Sequence, residues 1–171
     1  MIKNLISLYL LVNLVYSQGA WAWNNRTHPE LKWNTIKTEN FNIHFHDGIY
    51  DIAIDGANIA EKIRPTLMKQ VGLDSLRRLD IIFTSEDEIA NGFATAANYT
   101  VIWVDQNNEA IELIDNKWLE HVLAHELQHL VFFNVTKSWL PFPMNTLYGR
   151  APLWFIEGLA EYYTEKWRPY R

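Results

Sequence analysis

Cysteine is absent from the 171 residues. That excludes disulfides, cysteine metal ligands, cysteine nucleophiles and lipid attachment through sulfur. A basic surplus is missing too: 15 Lys and Arg stand against 20 Asp and Glu, a formal charge of −5. Nucleic-acid binders ordinarily show the opposite balance, so that class is set aside. No Lys/Arg-rich run marks an anionic membrane surface, and there is no internal repeat or low-complexity tract. What the chain does have is apolar and aromatic mass, 49% and 14% of its residues. At this length that suffices for one domain with a real core.

The first 22 residues read differently from the rest. Lys3 is a short positive start, Leu5 to Val15 is an apolar run, and Ala20-Trp21-Ala22 offers small residues around a cleavage point. The pattern predicts a secretory signal peptide over 1–22, cut after Ala22. The run is too short to span a bilayer comfortably. The expected product is therefore exported, periplasmic or secreted, with no integral membrane segment in 23–171. Loss of Lys3 makes it one unit more acidic. Asn25, Asn98 and Asn134 head glycosylation-type triplets, though Asn134 falls at the end of a predicted helix, a poor place for a glycan.

Periodicity outlines the elements. Trp33 to Thr38 and Phe41 to His46 predict short strands, the second with Phe41, Ile43 and Phe45 on one side and Asn42, His44 and His46 on the other. A helix is expected from Ile49 to Val71, on a stripe of Ile52, Ile59, Ala60, Ile63 and Leu67. Pro65 should kink or split it, and Gly72 should end it. Leu79 to Thr84 predicts a buried strand; Gly92 to Thr95 and Thr100 to Val104 predict a strand pair around Ala97-Asn98. A helix capped by Asp115 or Asn116 should run from Lys117 to Val135. After a loop through Pro141 and Pro143 to Arg150, Pro152 opens a last helix reaching about Trp167, stopped by Pro169. Strands, helix, strands and then two helices imply an α+β fold rather than a βαβ repeat, a small mixed sheet packed on helices.

The 117–135 helix contains His125-Glu126-Leu127-Gln128-His129. Residues four apart share a helix face, so both imidazoles can aim at one point. Such a pair is half of a tetrahedral metal site, and the Glu between them is placed to polarise a water. A catalytic site wants a third protein ligand. A further Gly and His just downstream would supply it in one arrangement, but those positions hold Phe132 and Val135. The other arrangement takes a carboxylate from the next helix, in Trp154-Phe155-Ile156-Glu157-Gly158-Leu159-Ala160-Glu161-Tyr162. Glu157 is the expected ligand. Gly158 would let the two helices approach closely. Glu161, one turn on, could accept a hydrogen bond from the outer nitrogen of a ligand His, or could be an exposed charge.

HELQH followed by WFIEGLAEY resembles the gluzincin zinc peptidases, in particular the bacterial peptidase-MA-like group. The likeness is strongest from His121 to Tyr163 and looser at Phe41-Asn42-Ile43-His44-Phe45 and Asn91-Gly92-Phe93-Ala94. It implies a zincin-like metallopeptidase domain. It also implies one zinc ion on His125, His129 and Glu157, with Glu126 as general base and Glu161 behind a ligand His. The substrate would be a peptide or protein. The strand from Thr100 to Val104 would then pair with an extended substrate, as zincin edge strands do. Relatives of this kind usually carry a further oxyanion-steadying residue. Tyr148, Arg150, Tyr162 and Tyr163 could stand in, and nothing in the sequence selects among them. Such domains often precede a β-propeller, so the competing reading is a non-catalytic, zinc-stabilised interaction module or the N-terminal part of a larger protein. Imidazole and carboxylate donors also accept other divalent ions. His121 is expected to be structural or cleft-lining, His44 and His46 to form a polar outer strand face, and His28 to lie in a loop.

Overall fold

Alternation in the sequence becomes two distinct sheet faces in the computed structural model, which describes residues 30–86, 91–104, 117–136 and 151–167. The chain divides into two units, Met1–Leu31 and Lys32–Arg171. The signal-peptide segment, Asn25, His28, the Asp115/Asn116 cap, the Pro141–Arg150 loop with Tyr148, and Pro169 lie outside the described residues.

Strands β1 (Trp33–Lys37), β2 (Phe41–His46), β3 (Leu79–Thr84), β4 (Asn91–Ala94) and β5 (Tyr99–Trp103) form one mixed sheet in the order β1-β2-β3-β5-β4. β1 and β2 are antiparallel, as are β4 and β5; β2–β3 and β3–β5 are parallel. Register puts Phe41 beside Leu79, Ile43 beside Ile81, and Phe83 beside Ile102, all fully buried. That apolar face is the floor of the core. Helix α1 (Tyr50–Gln70) joins the parallel strands β2 and β3, as a crossover must. The α+β class holds, with one βαβ unit inside it that the order of elements alone did not disclose.

The α1 stripe is turned from its expected position. Ala53, Gly56, Ala57, Ala60, Ile63 and Leu67 are buried, while Ile52 and Ile59 only flank the core. Small residues face the sheet because the helix lies almost on it: a Cβ on Gly56 would come 2.3 Å from Phe83 Cζ. Pro65 does not split the helix, which runs unbroken from Tyr50 to Gln70. Pro65 is exposed, and its buried neighbours Ile63 and Leu67 hold the turns on either side of the missing hydrogen bond. Gly72 ends the helix as expected. It sits at φ +68°, its N–H donates to the Lys69 carbonyl, and the Leu73 N–H donates to the Met68 carbonyl at 2.9 Å. This pair of bonds satisfies two of the terminal carbonyls.

Helix α2 (Lys117–Val135) packs against α1, against β4 and β5, and against helix α3 (Leu153–Thr164). Leu119, Leu123, Ala124, Leu127, Leu130 and Val131 are buried, so α2 is a central helix with little solvent face. The buried stripe of α3 is Ile156, Ala160 and Thr164, spaced four apart. A 3₁₀ turn (Glu165–Trp167) follows it. Among the described residues no helix is long and apolar enough to cross a membrane.

Candidate metal centre

His125 and His129 stand one turn apart on α2, with ring centroids 4.7 Å apart and planes at 85°. Two rings set edge to face can aim their Nε2 atoms at one point. From α3, Glu157 Oε2 lies 3.1 Å from His125 Nε2 and 3.4 Å from His129 Nε2. Donors on a tetrahedron around zinc, with bonds of about 2.0–2.1 Å, are about 3.3–3.4 Å apart. The carboxylate oxygen and each imidazole nitrogen are therefore at or near the edge length a small divalent ion requires. His125, Glu126 and His129 also offer ligand atoms within 4.8 Å of one another, a group able to hold a metal ion. Of the two carboxylates, Glu157 has the spacing that fits both imidazoles, while Glu126 is engaged elsewhere.

Glu126 is turned toward strand β4. It is only 6% exposed. Burial, reinforced by the nearby Glu157 charge, pushes its pKa up to about 8, with the Ala94 backbone N–H opposing the rise. His129 shifts the other way, down to about 4, because burial and the adjacent His125 disfavour its cation more than Glu157 favours it. A neutral imidazole is the ligating form, so the buried ring is already in the state a metal needs.

The two outer nitrogens differ. His125 Nδ1 lies 3.2 Å from Glu161 Oε1, which fixes that ring from behind. His129 Nδ1 is buried with no hydrogen-bond partner among the described residues, and its ring is stacked on Phe133, 6.2 Å between centroids at 16°. His121 lies one further turn back, its ring 6.5 Å from that of His125. It belongs neither to the donor group nor to the described cleft lining.

Beside the donors opens a cleft of about 360 Å³. Phe93, Phe133, Leu153 and Ile156 give it apolar walls, and β4 gives it one rim. Tyr162 is among the most exposed large residues and packs edge-on with Tyr163; neither lines the cleft. Tyr148 and Arg150 lie outside the described residues.

Three expectations are corrected. Thr100 to Val104 is not an edge: β5 runs between β3 and β4, and β4 is the outer strand among the described residues. Gly158 does not relieve a close helix contact, since a Cβ there would meet nothing within 4 Å among the described residues. Ala160, fully buried, is the small residue at that seam. His46 is buried rather than on an open polar face; its Nε2 lies 3.2 Å from Ser85 Oγ and 3.6 Å from Glu86 Oε1. His44 does keep to the polar face, between Thr35 Oγ1 at 2.9 Å and Asp80 Oδ1 at 3.1 Å. The two strand histidines thus address separate partners and do not form a chelate.

The sequence reading passed over Gly92. A Cβ on Gly92 would lie 2.5 Å from Glu126 Cγ and 2.7 Å from its Oε1. A glycine inside a strand pattern signals such close approach, and Asn91-Gly92-Phe93-Ala94 carried that signal. Asn98 and Asn134 also find each other: the Asn134 amide donates to Asn98 Oδ1 and, at 2.8 Å, to the Leu130 carbonyl. Both amide hydrogens of Asn134 are thereby used, and the β4–β5 turn is tied to the end of α2. No protein-family model matches this chain, and no curated protein matches it.

Proposed function

We propose that this chain is an exported, zinc-dependent metallopeptidase of zincin-like architecture. The observation that carries the reading is the meeting of His125 Nε2, His129 Nε2 and Glu157 Oε2 at tetrahedral-edge spacing, with a buried carboxyl beside them. In this reading those three residues hold one zinc ion, and Glu161 fixes the His125 tautomer. A zinc ion held there supplies Lewis acidity, lowering the pKa of a water and polarising a substrate carbonyl.

Glu126 does the proton work: its carboxylate stands beside the proposed ligands and lines the cleft, placed to take a proton from the attacking water and return it to the leaving amine. An extended peptide would lie along β4, the last strand of the sheet among the described residues, with apolar side chains against Phe133, Leu153 and Ile156. The leader over 1–22 would direct export, and mass spectrometry of the exported protein should find Trp23 first.

The test is Glu126→Gln. We expect zinc content to match the parent while cleavage of casein or a peptide library falls by about 10²–10⁴-fold. Cleavage at the parental rate would refute the base assignment. The competing reading, a zinc-stabilised interaction module, draws on one observation. Among the described cleft residues, only Asn91 and Thr95 add neutral donor side chains beyond the ligands and the base. It predicts a parent that binds zinc stoichiometrically, gains thermal stability from it and cleaves nothing.

A further inference from the structure

Glu126 is buried by contact with strand backbone. Its helix neighbours explain its position along α2 but not what presses on its side chain. Three atoms of that side chain, Cγ, Oε1 and Cδ, fall 2.5, 2.7 and 2.9 Å from where a Gly92 Cβ would be. Real Cβ contacts at such distances essentially do not occur, so any side chain at 92 must displace the carboxylate. The strand phase sets which backbone groups face outward. The Thr95 N–H donates to the Tyr99 carbonyl at 3.0 Å, and pairing alternates from there along the hairpin. Phe93 and Asn91 then bond to β5, and the backbone groups of Gly92 and Ala94 point away from it. The outward Gly92 N–H is taken by Asn91 Oδ1 at 2.8 Å, which keeps residue 92 close to its own strand.

We propose that Gly92 is a positioning residue for Glu126: the missing side chain creates the volume in which the carboxylate is seated. The steric part stands on geometry alone; its catalytic meaning rests on the proposed role of Glu126.

A thermal double-mutant cycle separates the two. Gly92→Ala, Glu126→Ala and the double variant are compared with the parent, all zinc-loaded. Alanine in a strand ordinarily gains stability over glycine. Here Gly92→Ala should lower the unfolding midpoint by several degrees in the parent, and should leave it unchanged or raise it once Glu126 is truncated. Equal shifts in both backgrounds would overturn the seat. If Gly92→Ala alone is insoluble, recovery of folded protein in the double variant supports the seat, and failure of both overturns it. Where the parent cleaves peptides, Gly92→Ala should lower kcat on the order of a hundredfold with KM and zinc content unchanged. A raised KM at constant kcat would place Gly92 against substrate instead. A parent without activity would sink the peptidase reading and leave the thermal cycle intact as the test of the contact.

Discussion

On its β4 side, helix α2 meets backbone; on its α3 side it meets carboxylates within reach of solvent. The β4 contact is tight, with Glu126 pressed over Gly92 and 6% exposed. The α3 contact is open, with the Glu157 and Glu161 side chains 47% and 43% exposed although both reach His125. One residue type thus has two physical states a few ångströms apart. Burial raises the proton affinity of Glu126, while Glu157 stays open to water. Under the proposed reading the strand side would grip the base and the helix side would receive the ion.

The largest expected effect breaks the receiving side. Glu157→Ala should weaken zinc binding by well over the 10–100-fold that loss of an orienting partner costs, more than about 3 kcal/mol, read by chelator competition. The control is His44→Ala with His46→Ala, whose rings address Thr35, Asp80, Ser85 and Glu86. That pair should leave zinc stoichiometry unchanged. Loss of zinc from the control, or its full retention in Glu157→Ala, would erase the distinction between the two histidine pairs.

Next comes the gripping side, in metal-free protein. The folded pKa of Glu126, about 8, stands above its ordinary value of 4.5. Its contribution to stability is therefore fully present below about pH 4.5 and is lost as pH rises through about 8. Glu126→Gln cannot ionise, so its advantage over the parent should grow across that window. We expect about 2–3 kcal/mol at pH 8.5, well below the full linkage value because a buried carboxylate draws in water. His129 shifts in the opposite sense, its neutral form lending stability that is lost as pH falls from 6.5 toward 4. Both proteins share that loss, so the difference between their denaturation curves isolates Glu126. A constant difference from pH 5 to 8.5 would mean that the strand does not desolvate the carboxyl. A smaller effect belongs to Glu161→Gln, which keeps the shape but weakens the hold on His125 Nδ1: zinc affinity should fall about 10-fold, the low end for such partners.

Much of this was legible in residue order, because it is local. Alternation in Phe41–His46 and the β-branched run of Leu79–Thr84 each fall on strands with those bounds. His125 and His129 share a helix face as their four-residue spacing implied, whereas the approach of Glu157 was expected from the paired motif rather than from local pattern. Non-local facts were not legible. Which strand lies at the edge depends on β3 pairing in parallel with both β2 and β5, and no short-range pattern encodes a crossover. The α1 stripe was misplaced for a related reason. Hydrophobicity favours Ile52 and Ile59, but nearness to Phe83 favours Gly56 and the alanines. The strain at Pro65 was overstated because only tertiary packing decides whether a break in the ladder ends a helix.

Gly158 and Gly92 carry the comparison to its smallest test. A glycine between two acids on a helix invites a packing explanation, yet the close contact expected at Gly158 is found at Gly92. Gly158 is exposed, and a Cβ there meets nothing within 4 Å among the described residues. It lies inside α3 with ordinary helical backbone, so alanine should fit without strain and should reduce the entropy of the unfolded chain. Gly158→Ala is therefore expected to stabilise the protein by up to about 1 kcal/mol, with zinc affinity unchanged, while the same change at Gly92 acts in the opposite direction. A Gly158→Ala protein with a lower unfolding midpoint and weaker zinc binding would show α3 pressed closely on α2 after all, and would remove the contrast between an open side and a gripping one.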